Sequence, residues 1–204
     1  MTRRGFLTVL AAGTAQAAQP APAVLPVRIV IDKRASLRPE QVQSFWLKLW
    51  PQAVADFAAG GVRMVSTTAE GEIKRSPGDR PIFTGLDRAS LNLVVSRELP
   101  MRWDHGEGSS GIAVHYEGYD ICLIALDFAH GDQVPFFSVN TCVHEMLHAV
   151  LGDIYQKRPA GVAGQMREVR IDWYATRLRL FHSGAFVRES ARKYVEKLRW
   201  AASR

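Results

Sequence analysis

The sequence lacks a long uninterrupted hydrophobic run, and it contains only two cysteines. No stretch reaches the roughly 20 apolar residues that a membrane-spanning helix requires, so we expect no stable membrane anchor. Two cysteines are too few for a disulfide-rich small domain or for a four-cysteine zinc module. Internal repeats and low-complexity segments are also missing, which excludes solenoid, collagen-like and other repetitive architectures.

The composition that remains is typical of one globular domain. The 204 residues are 47% hydrophobic and 23% charged, which argues against a disordered chain. The formal net charge is +6, from 26 basic and 20 acidic residues. We interpret this excess as spread along the chain, and no nucleic-acid-binding module is recognisable. Nucleic acid is therefore not an expected partner.

The first residues have the composition of an export signal. Arg3 and Arg4 precede a short apolar run at residues 6–12, and an Ala-Gln-Ala cleavage candidate ends at Ala17. The stretch Thr-Arg-Arg-Gly-Phe-Leu resembles the twin-arginine signal of bacterial proteins that the Tat machinery exports. The resemblance implies a signal peptide at residues 1–17 that is removed on export. The alternative from the residues alone is an N-terminal helix that stays on the protein.

Export would leave residues 18–204 as a single mature domain in the bacterial periplasm or outside the cell. That compartment is oxidising, so a disulfide can persist there. Cys122 and Cys142 would close a loop of about 20 residues if they were bridged. The sequence leaves a bridge and two buried free thiols equally open.

The hydrophobic pattern predicts an α+β fold with a mixed sheet of about five strands. Five segments have strand composition: residues 27–32, 62–67, 91–96, 112–116 and 119–128. A helix is predicted from the spacing of Val42, Phe45, Trp46 and Leu49, with Pro39 in its first turn. Pro51 is expected to kink or end that helix, and Gly60-Gly61 to end the segment. Residues 70–88 are rich in glycine, proline and charge and predict a loop or irregular hairpin. Further helices are predicted at residues 140–151, 165–182 and 186–200, and they form a helical C-terminal part.

The third predicted helix contains an H-E-x-x-H motif formed by His144, Glu145 and His148. On a helix, residues i and i+4 project about 40° apart, so both imidazoles can reach one metal ion. Glu145 lies about 60° from His148 on the helix, close enough to accept a proton from metal-bound water. Four apolar residues form a separate face that we expect to be buried: Val143, Met146, Leu147 and Val150.

A catalytic zinc site needs three protein ligands and one open position, and two acidic residues compete for the third place. Asp153 follows His148 by five residues, just beyond the predicted end of the helix. Glu168 follows His148 by twenty residues, on the next predicted helix. Asp172 lies one turn after Glu168 on the same face, where one acid can bind the metal while the other orients a histidine from behind.

These residues resemble the gluzincin branch of the zincin metallopeptidases. The resemblance rests on His144-Glu145-x-x-His148 followed by Glu168-x-x-x-Asp172. It implies a zincin-like fold and one Zn2+ per chain, bound by His144, His148 and Glu168. It also implies that Glu145 is the general base and that Asp172 is the second carboxylate behind a ligand histidine, His144 by preference. The segment at residues 112–116 would be an edge strand that lines the cleft and pairs with an extended peptide.

Other polar side chains are weaker candidates. His115 is on the proposed edge strand, and His182 lies about 21 Å from Glu168 along a continuous helix, too far to share its site. Three residues in a glycine-rich loop are expected to form a polar turn rather than a second metal site: Asp104, His105 and Glu107. Three more are able to polarise a carbonyl but are expected to be structural: Tyr155, Tyr174 and Arg177.

Two functions follow from the sequence. The first is an exported zinc peptidase that hydrolyses peptide bonds with a metal-activated water and Glu145 as base. The second is a non-catalytic periplasmic binding or assembly protein on a zincin-like scaffold. The second is favoured by one departure, because no residue matches the His or Tyr with which larger gluzincins stabilise the transition state.

Overall fold

A computed structural model describes residues 21–75, 80–100, 110–128, 140–156, 161–182 and 184–204. The predicted signal peptide at residues 1–17 lies outside these ranges. So do the weak loop candidates Asp104, His105 and Glu107.

The described residues form an α+β fold built on a five-strand mixed sheet, as the sequence predicts. The seven strands are β1 Ala23–Asp32, β2 Val62–Gly71, β3 Ile73–Arg75, β4 Pro81–Phe83, β5 Leu91–Ser96, β6 Gly111–Tyr116 and β7 Tyr119–Ala125. Five of them form the main sheet in the order β2-β1-β5-β7-β6. β1 pairs in parallel with β2 and β5, and β5 pairs in parallel with β7. The short strands β3 and β4 pair with each other, so the predicted irregular hairpin is confirmed.

The edge strand β6 is antiparallel to β7. A two-residue turn joins them, and both of its residues have positive φ, 50° at Glu117 and 80° at Gly118. Turns of this kind match the twist of paired strands. The turn fixes the register in which His115 faces Asp120, so an exposed position of the edge strand lies beside a buried carboxylate.

The first helical segment begins at Pro39 and ends at Gly60, where the sequence predicts its bounds. It consists of α1 Pro39–Ser44, a wide π turn at Phe45–Leu49 and α2 Trp50–Ala59. Of the two outcomes expected at Pro51, the helix does not end there, because helical structure continues to Ala59. Pro51 stands in the first turn of α2, directly after the π turn. A proline is tolerated at such a place because its missing N–H is not needed there.

Three helices follow the sheet: α3 Thr141–Val150, α4 Gly161–Phe181 and α5 Ala185–Ala202. The predicted bounds of α3 and α5 agree with these to within two residues, whereas α4 starts four residues earlier than expected. Asn140 caps α3 by accepting a hydrogen bond from the Cys142 N–H at 2.8 Å. Gly152, at a φ of 82°, ends it in a left-handed conformation.

The helices cover one face of the sheet, where the larger core cluster joins strand residues to α2, α3, α4 and α5. Cys122 and Cys142 are both in this core, and both are free, so the structure has the two buried thiols rather than the bridge. Burial raises the pKa of both thiols, that of Cys142 to about 12. Among the described residues no helix has the length and apolar character needed to cross a membrane.

Candidate metal centre

Helix α3 is buried on nearly all sides, although it contains the polar motif. Nine of its ten residues are buried, and only His144 is partly accessible. Glu145 and His148 are themselves about 95% covered, although both line a cleft. The reason is that α3 packs between the sheet and the C-terminal helices α4 and α5. The buried polar groups therefore need partners from those neighbours.

Three side chains from two helices bring their donor atoms together. The Nε2 atoms of His144 and His148 lie 3.2 Å apart. One carboxylate oxygen, Glu168 Oε2, lies 3.0 Å from the first nitrogen and 3.1 Å from the second. The two histidines are one turn apart on α3, and Glu168 reaches them from α4, which packs against α3. Of the two acids that compete in the sequence for the third position, Glu168 is the one that joins the histidines.

The size of this triangle suits a small divalent ion. Tetrahedral zinc with bonds of about 2.0–2.1 Å separates its ligand atoms by about 3.3 Å. The three observed separations of 3.0, 3.1 and 3.2 Å are nearly equal and only slightly shorter. Two imidazole nitrogens and one carboxylate oxygen are also a donor set that zinc takes in hydrolytic enzymes. The residues present therefore fit Zn2+ in both size and chemistry.

Asp172 supports the first histidine from behind. Its Oδ1 lies 2.8 Å from His144 Nδ1, on the side of the ring opposite the triangle. This carboxylate accepts a hydrogen bond from the Nδ1–H group, and Nε2 is then directed at Glu168 and His148. Such a contact fixes the tautomer and orientation of a metal-binding imidazole and raises its basicity. The relation is the one that the sequence predicts for Asp172.

Asp153 supports the second histidine and does not join the donor triangle. Its Oδ2 lies 3.4 Å from His148 Nδ1, within ion-pair range but longer than a well-formed hydrogen bond. Arg170 donates to both oxygens of Asp153 at 2.7 and 2.9 Å. Arg167 donates to the Asp153 backbone carbonyl at 3.0 Å. The alternative that Asp153 is the third ligand is therefore unsupported, because it faces the wrong nitrogen and its charge is already matched by arginine.

In this centre, charged neighbours shift the pKa of each donor residue in the direction opposite to the shift that burial causes. Burial alone would lower the pKa of His144, but the carboxylates of Asp172 and Glu168 outweigh it and raise this pKa to about 10. Burial likewise opposes a rise in the pKa of His148, which Asp153 and Glu168 cause. Burial would raise the pKa of Glu168, yet the two histidines hold it far below its usual range. Without an ion, the centre is thus a cluster in which protons on the imidazoles compensate buried carboxylates.

Glu145 lies beside the triangle, between α3 and the edge strand. A Cβ placed on Gly111, the first residue of β6, would lie 2.7 Å from Glu145 Cγ and 2.9 Å from its Oε1. Only glycine leaves room for the carboxylate here. Glu145, His148 and Glu168 line a cleft of about 280 Å3 whose opposite wall is β6. The candidate base and two candidate ligands therefore face the same space as the edge strand.

A second polar cluster links β6 to the segment after α3, and sequence reasoning missed its centre. Asp120 is buried, and its Oδ1 lies 2.6 Å from His115 Nδ1. The hydroxyl of Tyr155 donates to the other oxygen of Asp120, and burial together with this bond raises the pKa of Tyr155. Tyr155 and Asp153 belong to the same 3-10 turn. The cluster therefore connects the edge strand to the turn whose Asp153 contacts His148. The available signal was an aspartate next to the apolar run that begins at Ile121.

The remaining candidates are outside the centre. Tyr174 stacks on Phe186 of α5 with ring centroids 5.1 Å apart. Arg177 lies over the Trp173 ring at 4.7 Å. His182 follows the end of α4. The expected structural roles of Tyr174 and Arg177 agree with these contacts. Among the weaker candidates that the structure describes, His115 is the one that lines the cleft.

Comparison of the chain with protein-family models, curated proteins and solved structures gives no match. The case for a function therefore rests on geometry. What the described residues define is an α+β domain with a His-His-Glu candidate metal centre at one wall of a cleft.

Proposed function

We propose that this chain is a zinc-dependent peptidase with a zincin-like fold and a gluzincin-like site. The observation that carries the proposal is the nearly equal-sided triangle of His144, His148 and Glu168 donor atoms, 3.0–3.2 Å on each side. Glu145, which lines the same cleft as His148 and Glu168, adds the base that hydrolysis requires. The supporting fold features are an antiparallel edge strand on one wall of the cleft and a ligand from the following helix.

Each residue has a distinct task in this proposal. His144, His148 and Glu168 would hold the ion, while Asp172 accepts a hydrogen bond from His144 Nδ1 and Asp153 lies within ion-pair range of His148 Nδ1. Zn2+ bound there would supply Lewis-acid polarisation of the scissile carbonyl and would lower the pKa of a water molecule toward about 7. The side chain of Asp172 is partly buried and that of Asp153 is almost fully buried. Water therefore competes little with these carboxylates for the two imidazoles, which stay in fixed positions.

Glu145 moves the proton. It accepts one proton from the attacking water as the water oxygen bonds to the carbonyl carbon, and it delivers that proton to the amine nitrogen when the C–N bond breaks. Glu145 is mostly covered and lies against Gly111. Its position is thus constrained by the backbone of β6, and a substrate lying along β6 would pass directly over the carboxylate.

The proposed substrate is an extended peptide or protein segment. β6 is the last strand of the main sheet and pairs only with β7 among the described strands. An extended chain can add to such an edge through main-chain hydrogen bonds, with alternate side chains entering the cleft. The proposal also includes export through the Tat route to the periplasm or beyond, which rests on the twin-arginine sequence at Arg3 and Arg4.

The test is digestion of a broad peptide library by purified protein, with Glu145→Gln as the decisive variant. The substitution keeps the size of the side chain and removes its proton-accepting charge, so zinc content should stay near that of the parent. Hydrolysis should fall by about 10²- to 10⁴-fold, the usual contribution of a positioned base. Glu189→Gln, an exposed acid on α5, is the matched control and should cleave as the parent does.

Equal cleavage by Glu145→Gln and the parent would refute the proposed role of this residue. A parent that binds zinc, leaves the library uncut and retains peptides in a pull-down would instead favour the periplasmic binding or assembly protein. Cleavage products from the parent that carry new termini at defined bonds would define the specificity.

A further inference from the structure

The positive charge of the chain is concentrated in its last two helices. Residues 161–204 contain 10 of the 26 basic residues but only 4 of the 20 acidic ones. The first 160 residues therefore hold 16 of each sign and are balanced, and the whole excess of +6 belongs to α4, α5 and their ends. The expectation that the excess is spread along the chain is wrong. An asymmetry of this size indicates an anionic partner for this part of the molecule.

Helix α4 has two apolar rows on opposite sides. One row packs into the core: Ile171, Ala175 and Leu178. At 100° per residue, the second row lies roughly opposite: Val162, Met166, Val169 and Trp173, which are 75%, 63%, 49% and 46% exposed. A surface helix normally presents polar residues on its outer side. Packing among the described residues therefore does not explain why this outer row is apolar.

The outer row continues onto α5 through an edge-to-face contact and a stacked pair of aromatic rings. Trp173 contacts Tyr174 with ring centroids 5.0 Å apart, and Tyr174 stacks on Phe186 at 5.1 Å. Phe186, Lys193 and Trp200 follow one another at seven-residue steps, so they share one face of α5. Phe186 and Trp200 are both more than half exposed. We call the combined outer row of α4 and this face of α5 the basic aromatic face.

We propose that the basic aromatic face docks reversibly on an anionic lipid surface. Apolar and tryptophan side chains set among arginines and lysines are the composition with which helices lie in a membrane interface. Arg177 lies over the Trp173 ring at 4.7 Å, which sets a guanidinium beside an exposed aromatic ring of α4. Anionic headgroups attract each nearby basic residue, and the exposed row supplies the apolar area that enters the acyl boundary.

Two other occupants fit this face less well. A second copy of the chain would bring two faces of the same positive charge together, because a two-fold interface uses the same patch on both sides. A nucleic acid would match the charge but would leave the row from Val162 to Trp173 against phosphate and water. A lipid surface meets both the charge and the apolar row. The docking does not depend on the candidate metal centre, so the two proposals stand or fall separately.

The test is co-sedimentation of the full chain with large vesicles of phosphatidylcholine, with and without phosphatidylglycerol as the anionic lipid. Binding is expected only to the anionic vesicles, and it should weaken as salt rises because surface attraction is screened. Met166→Glu should reduce binding by at least about tenfold, since it removes apolar area and adds repulsion. Lys193→Glu changes the charge by two and should weaken binding about 25-fold, at about fivefold for each charge.

Leu47→Glu is the matched control, because Leu47 is 66% exposed on the π turn, outside the basic aromatic face. It should bind vesicles as the parent does. Equal binding of the parent to neutral and anionic vesicles, or none to either, would overturn the proposal. So would a parent that is dimeric by light scattering and becomes monomeric with Met166→Glu, or one that binds duplex DNA in a Met166-independent way without binding vesicles.

Discussion

The contact between Asp172 and His144 supports a quantitative prediction about metal affinity. Asp172→Asn keeps the shape of the side chain but removes the charge that lies 2.8 Å from His144 Nδ1. The imidazole then loses a partner that raises its basicity and that fixes the proton on Nδ1. Because the amide can also offer an N–H to Nδ1, part of the population will hold the proton on Nε2, where it blocks the ion.

The expected loss is about 10- to 100-fold in zinc affinity, or about 1.4–2.7 kcal/mol, which is the usual cost of removing such a partner. A second effect works in the opposite direction. Asp172 contributes to the high pKa of His144, about 10, so the variant holds its competing proton less tightly. Protons compete with the metal more strongly at pH 7 than at pH 9. The loss should therefore be larger at pH 9 than at pH 7.

The assay is competition for zinc against a chelator of known affinity at both pH values. Glu189→Gln, whose carboxylate pairs only on the surface of α5 with Arg192 and Lys193 among the described residues, should match the parent at each pH. An Asp172→Asn protein with unchanged affinity at pH 9 would refute the supporting role. A loss that is the same at both pH values would refute the pKa argument while leaving the contact itself in place.

Three further predictions follow from the same geometry. Gly111→Ala should abolish most peptide hydrolysis but leave zinc bound, because the new Cβ would displace Glu145. Metal analysis together with a peptide assay checks this prediction. Normal cleavage by the variant would contradict it. Zinc uptake should release about one proton or more between pH 6.5 and 10, because in that range His144 is protonated in the folded chain and must lose a proton to bind the ion. Calorimetry in two buffers of different ionisation enthalpy measures this release. A release of zero protons would contradict the prediction. Tyr155→Phe should lower the free energy of unfolding by about 1–3 kcal/mol, because one oxygen of buried Asp120 loses its donor; urea unfolding tests this, and an unchanged midpoint would show that the bond contributes nothing.

The parts of the fold that were predictable from sequence are those that local patterns control. The five strands of the main sheet and helix α3 follow from alternation, β-branched content and a capping residue, Asn140. Whether Pro51 kinks or ends the first helix could not be decided from the sequence, because this depends on the wide turn before it. The strand order was beyond sequence reasoning, since parallel pairing of β1, β5 and β7 joins segments that are far apart in the chain.

The same division holds for the candidate site. Helical spacing sets the two candidate ligands one turn apart on α3, and it sets Glu168 one turn before Asp172 on α4, so the sequence could name these candidates. The approach of Gly111 to Glu145 could not be foreseen, because it depends on how the edge strand packs on α3. The side of His148 that Asp153 contacts depends on a 3-10 turn that no pattern indicated.

The most direct test of the central claim is the zinc content of the purified protein, measured by elemental mass spectrometry on the parent, Glu168→Ala and the control Glu189→Ala. The account predicts about one zinc per chain in the parent and the control, as a three-ligand site requires, and far less in Glu168→Ala. Equal zinc in all three proteins would contradict Glu168 as a ligand. Absence of zinc from the parent, after the metal has been offered, would contradict the metal centre itself.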